Sequence, residues 1–256
     1  MPETEAPFGL IAAIPEEIGH FGEHFAEQAA TDLAGFRFRS GQLEGRPAVL
    51  VEAGIGKVNA AIVATLLIEK FGCRALLFSG VAGGLDPGLG IGDVVVGTRV
   101  VQHDYGAMVG GRLTVYQPGA FPLPGVDTTH GYALDGGLER RAREVLADVT
   151  LPALSAAATG GTARQPVIRF GTVVTGDQFV NCEATRQRLH AEFAAQATEM
   201  EGAAVAQVAQ RYDVPCLVVR SLSDLAGAES HMDFGAFVTV AASGAALIMR
   251  RLATVV

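Results

Sequence analysis

Two carboxylates flank a methionine in Thr198-Glu199-Met200-Glu201-Gly202, where an apolar stretch gives way to an alanine-rich run from Ala203 to Tyr212. In a chain with only 18% charged residues, acids this close mark a candidate site. On one strand or bend Glu199 and Glu201 would share a face, and carboxylates crowded at a strand's end suit gripping a diol or sharing a proton. A solvated turn is the competing reading of these five residues alone. Further acids stand where other apolar runs stop: Glu17 after Phe8 to Ile14, Asp177 after Val167 to Val174, and Asp224 after Pro215 to Leu222. In open α/β sheets the carboxyl ends of strands face the ligand crevice, so these acids are expected to converge.

The elements that must position them follow from the pattern. Short, nearly unbroken apolar runs at Phe8 to Ile14, Ala75 to Ser79, Gly92 to Val101, Val167 to Val174 and Pro215 to Leu222 read as strands covered on both faces. Helices are expected at Glu16 to about Gln28, Val58 to Phe71, Asp135 to Val149, Glu183 to Phe193, Ala203 to Tyr212 and Phe234 to Met249. Phe36 to Leu43 alternates and pairs across Glu44-Gly45 with Pro47 to Ala53 as a hairpin. This succession predicts an α/β fold, a three-layer α/β/α sandwich around a mixed, mainly parallel sheet, in a single domain over residues 1–256.

Gly54-Ile55-Gly56-Lys57 lacks the last glycine of a dinucleotide fingerprint and the spacing of a P-loop, so it reads as a tight strand-to-helix turn. Gly80-Val81-Ala82-Gly83-Gly84 is expected to be a turn whose backbone something approaches closely, either through packing or by binding a ligand's oxygens. From Tyr105 to Gly131 no period emerges, and a loop this long is usually functional or part of an interface. Phe179 is either core or a platform for a flat ring, while Asp104 and Asp177 read as loop hydrogen-bonders.

Composition narrows the function. The formal charge of −8 offers no basic face for nucleic acid or an anionic membrane, so a small molecule is the expected partner. Cys73, Cys182 and Cys216 are widely spaced, which disfavours a disulfide framework or a zinc site and fits a reducing cytoplasm. The polar start, Met1 to Pro7, lacks a signal peptide's pattern, and no apolar run reaches the roughly 20 residues of a membrane span.

Gly9-Leu-Ile-Ala-Ala-Ile-Pro-Glu-Glu17, Gly54-Ile-Gly-Lys-Val-Asn-Ala60, Ser79-Gly-Val-Ala-Gly-Gly84, Gly92-Asp-Val-Val95, Thr175-Gly-Asp-Gln-Phe179, Glu199-Met-Glu201 and Val219-Arg-Ser-Leu-Ser-Asp224 occur in that order. Together they resemble the purine nucleoside phosphorylase superfamily, and within it the bacterial 5'-methylthioadenosine/S-adenosylhomocysteine nucleosidases. The resemblance implies hydrolysis of the bond between adenine and a 5'-thio-substituted ribose, without metal or cofactor, by a homodimer. It implies that Asp224, with Ser223 beside it, protonates adenine and that Glu17 activates water. Glu201 would hold the ribose hydroxyls, Met200 would pack on the sugar, Phe179 would stack on the base, and the Val180 backbone would meet its edge.

The chemistry fits these residue types independently. Breaking the C–N bond builds an oxocarbenium-like sugar, so the purine must leave protonated while carboxylates stabilise the cation. Asp224, between Leu222 and Leu225, is expected to be the acid with a raised pKa, and Glu17 the wetter, ionised base with Arg220 near it. Val81 stands where the family commonly has serine, and the loop from Gln102 to Gly131 departs from the family's pattern although His103-Asp104 is kept. His231 reads as near the site or as a cap of the last helix. A nucleoside phosphorylase, a futalosine-type hydrolase and a non-catalytic nucleoside-binding protein are the alternatives. Phosphate would need donors where Glu16 and Glu17 stand.

Overall fold

Strand β1 (Phe8–Ala12) is an interior strand of the sheet and is buried along its whole length. The computed structural model describes residues 5–22, 24–120, 130–159, 162–227 and 230–256, with the side chains of 230–236 outside the description. After β1 come α1 (Pro15–Gly19), β2 (Phe25–Leu33), β3 (Phe36–Leu43), β4 (Arg46–Glu52), α2 (Lys57–Phe71), β5 (Leu76–Gly84) and β6 (Val94–Gln102). A small hairpin, β7 (Gly106–Val109) and β8 (Arg112–Val115), precedes β9 (Tyr132–Ala133), α3 (Gly136–Leu146), β10 (Ile168–Thr175) and α4 (Glu183–Phe193). The chain ends with β11 (Ala195–Glu199), α5 (Gly202–Arg211), β12 (Cys216–Asp224) and α6 (Ser230–Leu252).

The strand order is β11-β10-β6-β12-β5-β1-β4-β3-β2, with β9 beside β6. Strands β12, β5, β1 and β4 pair in parallel, as do β6, β10 and β11, and the two blocks meet at the antiparallel β12–β6 pairing. Strand β11 pairs with β10 and also, antiparallel, with the end of β5 at Gly83 and Gly84. The strands β5, β12, β6, β10 and β11 therefore close into a ring.

Alternation along the strands sorts side chains into two apolar layers. Ile11, Leu76, Phe78 and Val218 pack with α2 and α5 on one face, while Leu10, Leu77, Leu217 and Val219 pack with α1, α3 and α6 on the other. This is the expected three-layer sandwich. Helix α6 is apolar because it lies in the second layer, and no helix of the described residues is long and apolar enough to cross a membrane.

Two local expectations are corrected. The helix expected from Glu16 to Gln28 ends at Gly19, and Phe25–Leu33 is a strand paired antiparallel with β3. Its Ala, Glu and Gln residues favour helix locally, but Ala34 and Gly35, at φ 52° and 84°, make a two-residue turn of the kind that closes hairpins, and the open edge of β3 takes the chain. The Gly80–Gly84 stretch is not a turn; it continues β5. Glycine is required there because a Cβ on Gly80 would lie 2.8 Å from Arg220 Nη1 and 2.9 Å from Glu17 Oε1, and one on Gly83 would lie 2.9 Å from Asp224 Oδ1.

Asp93 fixes the entry to β6. It is fully buried and accepts hydrogen bonds from Gly90 N (2.8 Å), Val167 N (2.8 Å) and Arg164 Nη2 (2.8 Å). Asp93→Ala leaves these donors without their acceptor and is expected to cost on the order of 3 kcal/mol. A fall in the urea midpoint at unchanged m-value measures this.

Candidate active site

Arg220, 1% exposed, stands at the centre of the acids. Its guanidinium lies 4.0 Å over the Phe78 ring, and Nη1 donates to the carbonyls of Phe78 (3.4 Å) and Val219 (3.2 Å). Its Nη2 and Nε donate to Glu199 Oε2 at 2.5 and 3.1 Å. The same oxygen accepts from Gly202 N (2.7 Å) and Glu201 N (3.1 Å), while Thr175 Oγ1 donates to Oε1. Glu199 lines the cavity, but its oxygens are engaged by the protein.

Glu201 takes a different course from Glu199. The two do not share one strand face: β11 ends at Glu199, and Glu201 occupies the cap position before α5. Its Oε1 accepts from Gly56 N at 2.7 Å, the carboxyl group's one hydrogen bond among the described residues. Burial pushes its carboxyl up to about 8, helped by the charge of Glu199 and opposed by Arg220 and the Gly56 N–H. Gly56 can approach because it and Gly54 hold φ of 104° and 72°, so the Gly-Ile-Gly turn aims the first N–H groups of α2 at Glu201 and Asp177. The anions at this helix N-terminus are the protein's own carboxylates.

Glu17 is in the single turn of α1, begun by Pro15, and is 4% exposed, not the wetter acid that its place in the chain suggests. The β5 backbone and Arg220 enclose it. Oε2 accepts from Ala13 N (2.6 Å) and Ile14 N (3.3 Å), and Oε1 from Val81 N (2.9 Å). Burial raises its pKa, against the lowering effect of Arg220 and those three N–H groups. Arg220 is close to Glu17, as expected, but its hydrogen-bonded ion pair is with Glu199.

Asp224 ends β12, is 2% exposed, and is oriented at both oxygens: Oδ1 accepts from Ala226 N (2.8 Å) and Oδ2 from Ser223 Oγ (3.1 Å). A cavity of about 400 Å³ joins these groups, lined by Glu17, Glu199, Glu201, Ser223 and Asp224 with Val81, Phe179, Val180 and Met200. Arg220 lies behind this wall. Phe179 is 49% exposed, so it is not a core residue. Ile14, Ile55 and Thr198 also line the cavity and went unrecognised in the sequence. Ile55 had a signal, an apolar residue fixed between two glycines. The side chain of His231 and residues 121–129 of the long loop lie outside the described residues.

A small, mostly apolar cavity with acids at one wall and an exposed aromatic ring at another suits a nucleoside-sized molecule. A family profile described as the phosphorylase superfamily matches residues 7–254. The 5'-methylthioadenosine/S-adenosylhomocysteine nucleosidases of Mycobacterium bovis and Mycobacterium tuberculosis are each 49% identical over 245 residues, 95% of this chain and 96% of theirs. Among solved structures, futalosine hydrolase of Helicobacter pylori matches with a TM-score of 0.81 at 31% identity, covering 97% of each chain. A mutant of the 5'-methylthioadenosine/S-adenosylhomocysteine nucleosidase of the same organism, with 5'-methylthioadenosine in its active site, matches with a TM-score of 0.81 at 29% identity, covering 97% of this chain and 98% of that one.

The buried acids set a pH dependence. Between the ordinary value of 4.5 and about 8, folded Glu201 holds a proton that the unfolded chain has released, so stability falls as pH rises through this window. Glu17, also raised, acts in the same direction. Urea unfolding at pH 5.5 and 7.5 is expected to show that Glu201→Gln loses less stability between the lower and the higher pH than the wild type does.

Proposed function

The chain belongs to the phosphorylase superfamily, and we propose that it hydrolyses the N-glycosidic bond of 5'-methylthioadenosine and S-adenosylhomocysteine, releasing adenine and a 5'-thio-substituted ribose. The observation that carries this reading is the gathering of Glu17, Glu201 and Asp224 on one cavity at the ends of different elements. In this mechanism protonated Asp224, held by Ser223 Oγ and Ala226 N–H, donates to N7 of adenine as the C1'–N9 bond breaks. The positive charge that develops on the sugar faces the carboxyl oxygens of Glu17 and Glu201, whose dipoles, and whose charge when ionised, oppose it. Glu17 takes a proton from water as its oxygen bonds to C1', and a carboxylate of raised pKa is a better base for that step.

Glu201 accepts the ribose hydroxyls. Met200 packs on the sugar, Phe179 stacks on adenine and the Val180 backbone meets the base edge. Val81 gives its N–H to Glu17 and an apolar side chain to the wall, so the attacking water is left to Glu17. Hydrolysis is favoured over phosphorolysis because the cavity lining among the described residues carries no lysine or arginine, and Arg220 behind it is already committed to Glu199, so a phosphate dianion would find no cationic donor. Futalosine-type nucleosides form a second substrate class, supported by the structural likeness to the Helicobacter pylori hydrolase.

The protein acts as a homodimer in this reading. Val58, Ile62 and Tyr212 are 71%, 40% and 40% exposed and line one depression along α2 and α5. This apolar face lies next to Ile55, on the wall of the cavity, and suits burial against a second copy. Three free cysteines fit a cytoplasmic setting. Sedimentation of the purified chain is expected to give about twice its 26.6 kDa, and a monomer at micromolar concentration would count against this assembly.

Chromatography after incubation with methylthioadenosine, S-adenosylhomocysteine, futalosine and inosine, with and without phosphate, tests the reaction. Free adenine and a reducing thio-sugar without phosphate are expected, whereas a sugar 1-phosphate formed only with phosphate would make the protein a phosphorylase. Asp224→Asn should lower kcat by about 10²- to 10⁴-fold, the usual contribution of general acid catalysis, with nucleoside binding largely kept.

A further inference from the structure

The backbone at the start of α2 is bonded to two chain segments that flank the cavity. Gly56 N–H holds Glu201. The next residue, Lys57, donates its own N–H to Asp177 Oδ1 at 2.9 Å, and its Nζ lies 2.6 Å from Asp104 Oδ1 and 3.6 Å from Asp177 Oδ2. Asp104 Oδ2 in turn accepts from Asp177 N at 2.8 Å. Asp104 follows β6, and Asp177 stands in the bend after β10, two residues before Phe179.

Helix stability does not account for this lysine. An ammonium in the first turn faces the positive end of the helix dipole, where a carboxylate would be favoured. The side chains of Lys57 and Asp104 are only 18% and 15% exposed, so their pairing also gives up solvation. Burial alone would raise the Asp104 carboxyl, but the hydrogen bond and charge of Lys57 and the Asp177 N–H outweigh it and hold the group below its ordinary value. Under the same bend His103, 3% exposed, closes on Gly176, where a Cβ would lie 2.4 Å from its Nε2. The bend is thus supported by a ring on one side and by the lysine pair on the other.

We propose that Lys57 is a positioning residue: through Asp104 and Asp177 it fixes the 176–180 bend, and with it the spacing between the Phe179 platform and Glu201, both tied to one helix end. The proposal rests on the reading above that Phe179 and Val180 take the base. Without the ammonium, Asp104 and Asp177 are two adjacent carboxylates that repel, and the platform moves away from the site. The chemical step, carried by Glu17 and Asp224 on other elements, keeps its groups.

Steady-state kinetics on methylthioadenosine with Lys57→Met, Lys57→Arg, Asp104→Asn and the Lys57→Met/Asp104→Asn double variant test this. Lys57→Met is expected to raise KM by about tenfold, the effect of losing roughly one charge-assisted hydrogen bond, with kcat within about twofold. Lys57→Arg should restore most of the loss. Asp104→Asn should shift KM in the same direction, and the double variant should be no worse than the poorer single one, because the residues act as a unit. A merely structural role would reduce the active fraction and so lower kcat at unchanged KM; that result, or a KM within twofold of wild type, overturns the proposal. If Lys57→Met does not fold, Asp104→Asn decides by the same criterion. A wild-type protein that releases no adenine would sink the nucleosidase reading instead, and adenine affinity across the same variants would then judge the clamp by the same tenfold expectation.

Discussion

A single buried guanidinium sets the terms on which this site exists. Glu17, Glu199 and Glu201 are each no more than 6% exposed, and Arg220 is 1% exposed among them. Carboxylates so placed would either take up protons or force the structure open unless a cation answered them. Arg220 answers unequally. It bonds Glu199 directly and acts on Glu17 and Glu201 only through its field. The consequence is a division of labour among chemically identical groups: Glu199 becomes scaffold, while Glu17 and Glu201 keep raised pKa values and oxygen capacity directed at the cavity.

The sheet is shaped to let these groups approach. Parallel strands within each block deliver residues to that block's carboxyl ends, and the antiparallel return of β11 onto the end of β5 brings Glu199 and Glu201 to the cavity that Asp224 of β12 also lines. The approach is close enough that β5 must lack side chains at Gly80 and Gly83, where Arg220, Glu17 and Asp224 fill the space a Cβ would need. Backbone and chemistry are therefore coupled. The strand that narrows to glycine also supplies, at Val81, the N–H that orients Glu17.

Much of this was legible in the sequence because buried parallel strands write themselves as apolar runs with an acid or glycine at the end. The strands before Glu17, Asp177 and Asp224 could be read this way, as could α2 and α4. What failed had physical reasons. Phe25–Leu33 carries helix-favouring residues and an exposed surface, and its strand identity depends on the free edge of β3, a long-range term that local composition does not record. The glycines of β5 look like a turn because the side chains that demand them come from residues far away in the chain. Glu17 looks solvent-facing beside Glu16, and only the tertiary fold encloses one and exposes the other. Residue type and spacing alone do not separate Glu199 from Glu201, since that difference is made by Arg220 and Thr175.

The Gly54-Ile-Gly-Lys57 turn shows how a familiar device can be put to an opposite use. A glycine-rich strand-to-helix turn followed by lysine has the ingredients to hold phosphate, with free N–H groups, a helix dipole and a cation. Here each of those ingredients is engaged by a carboxylate of the protein: Glu201 on Gly56, Asp177 on the Lys57 N–H, and Asp104 on the Lys57 ammonium. With its anion-binding capacity spent internally, the turn has little left for an external phosphate and instead fixes two distant loops to one helix end. The same use of a carboxylate where an exogenous anion could bind recurs at Glu17, which stands among three backbone N–H donors. A site whose anion-binding positions are already filled by its own acids is suited to a neutral co-substrate, and water is the co-substrate that hydrolysis requires.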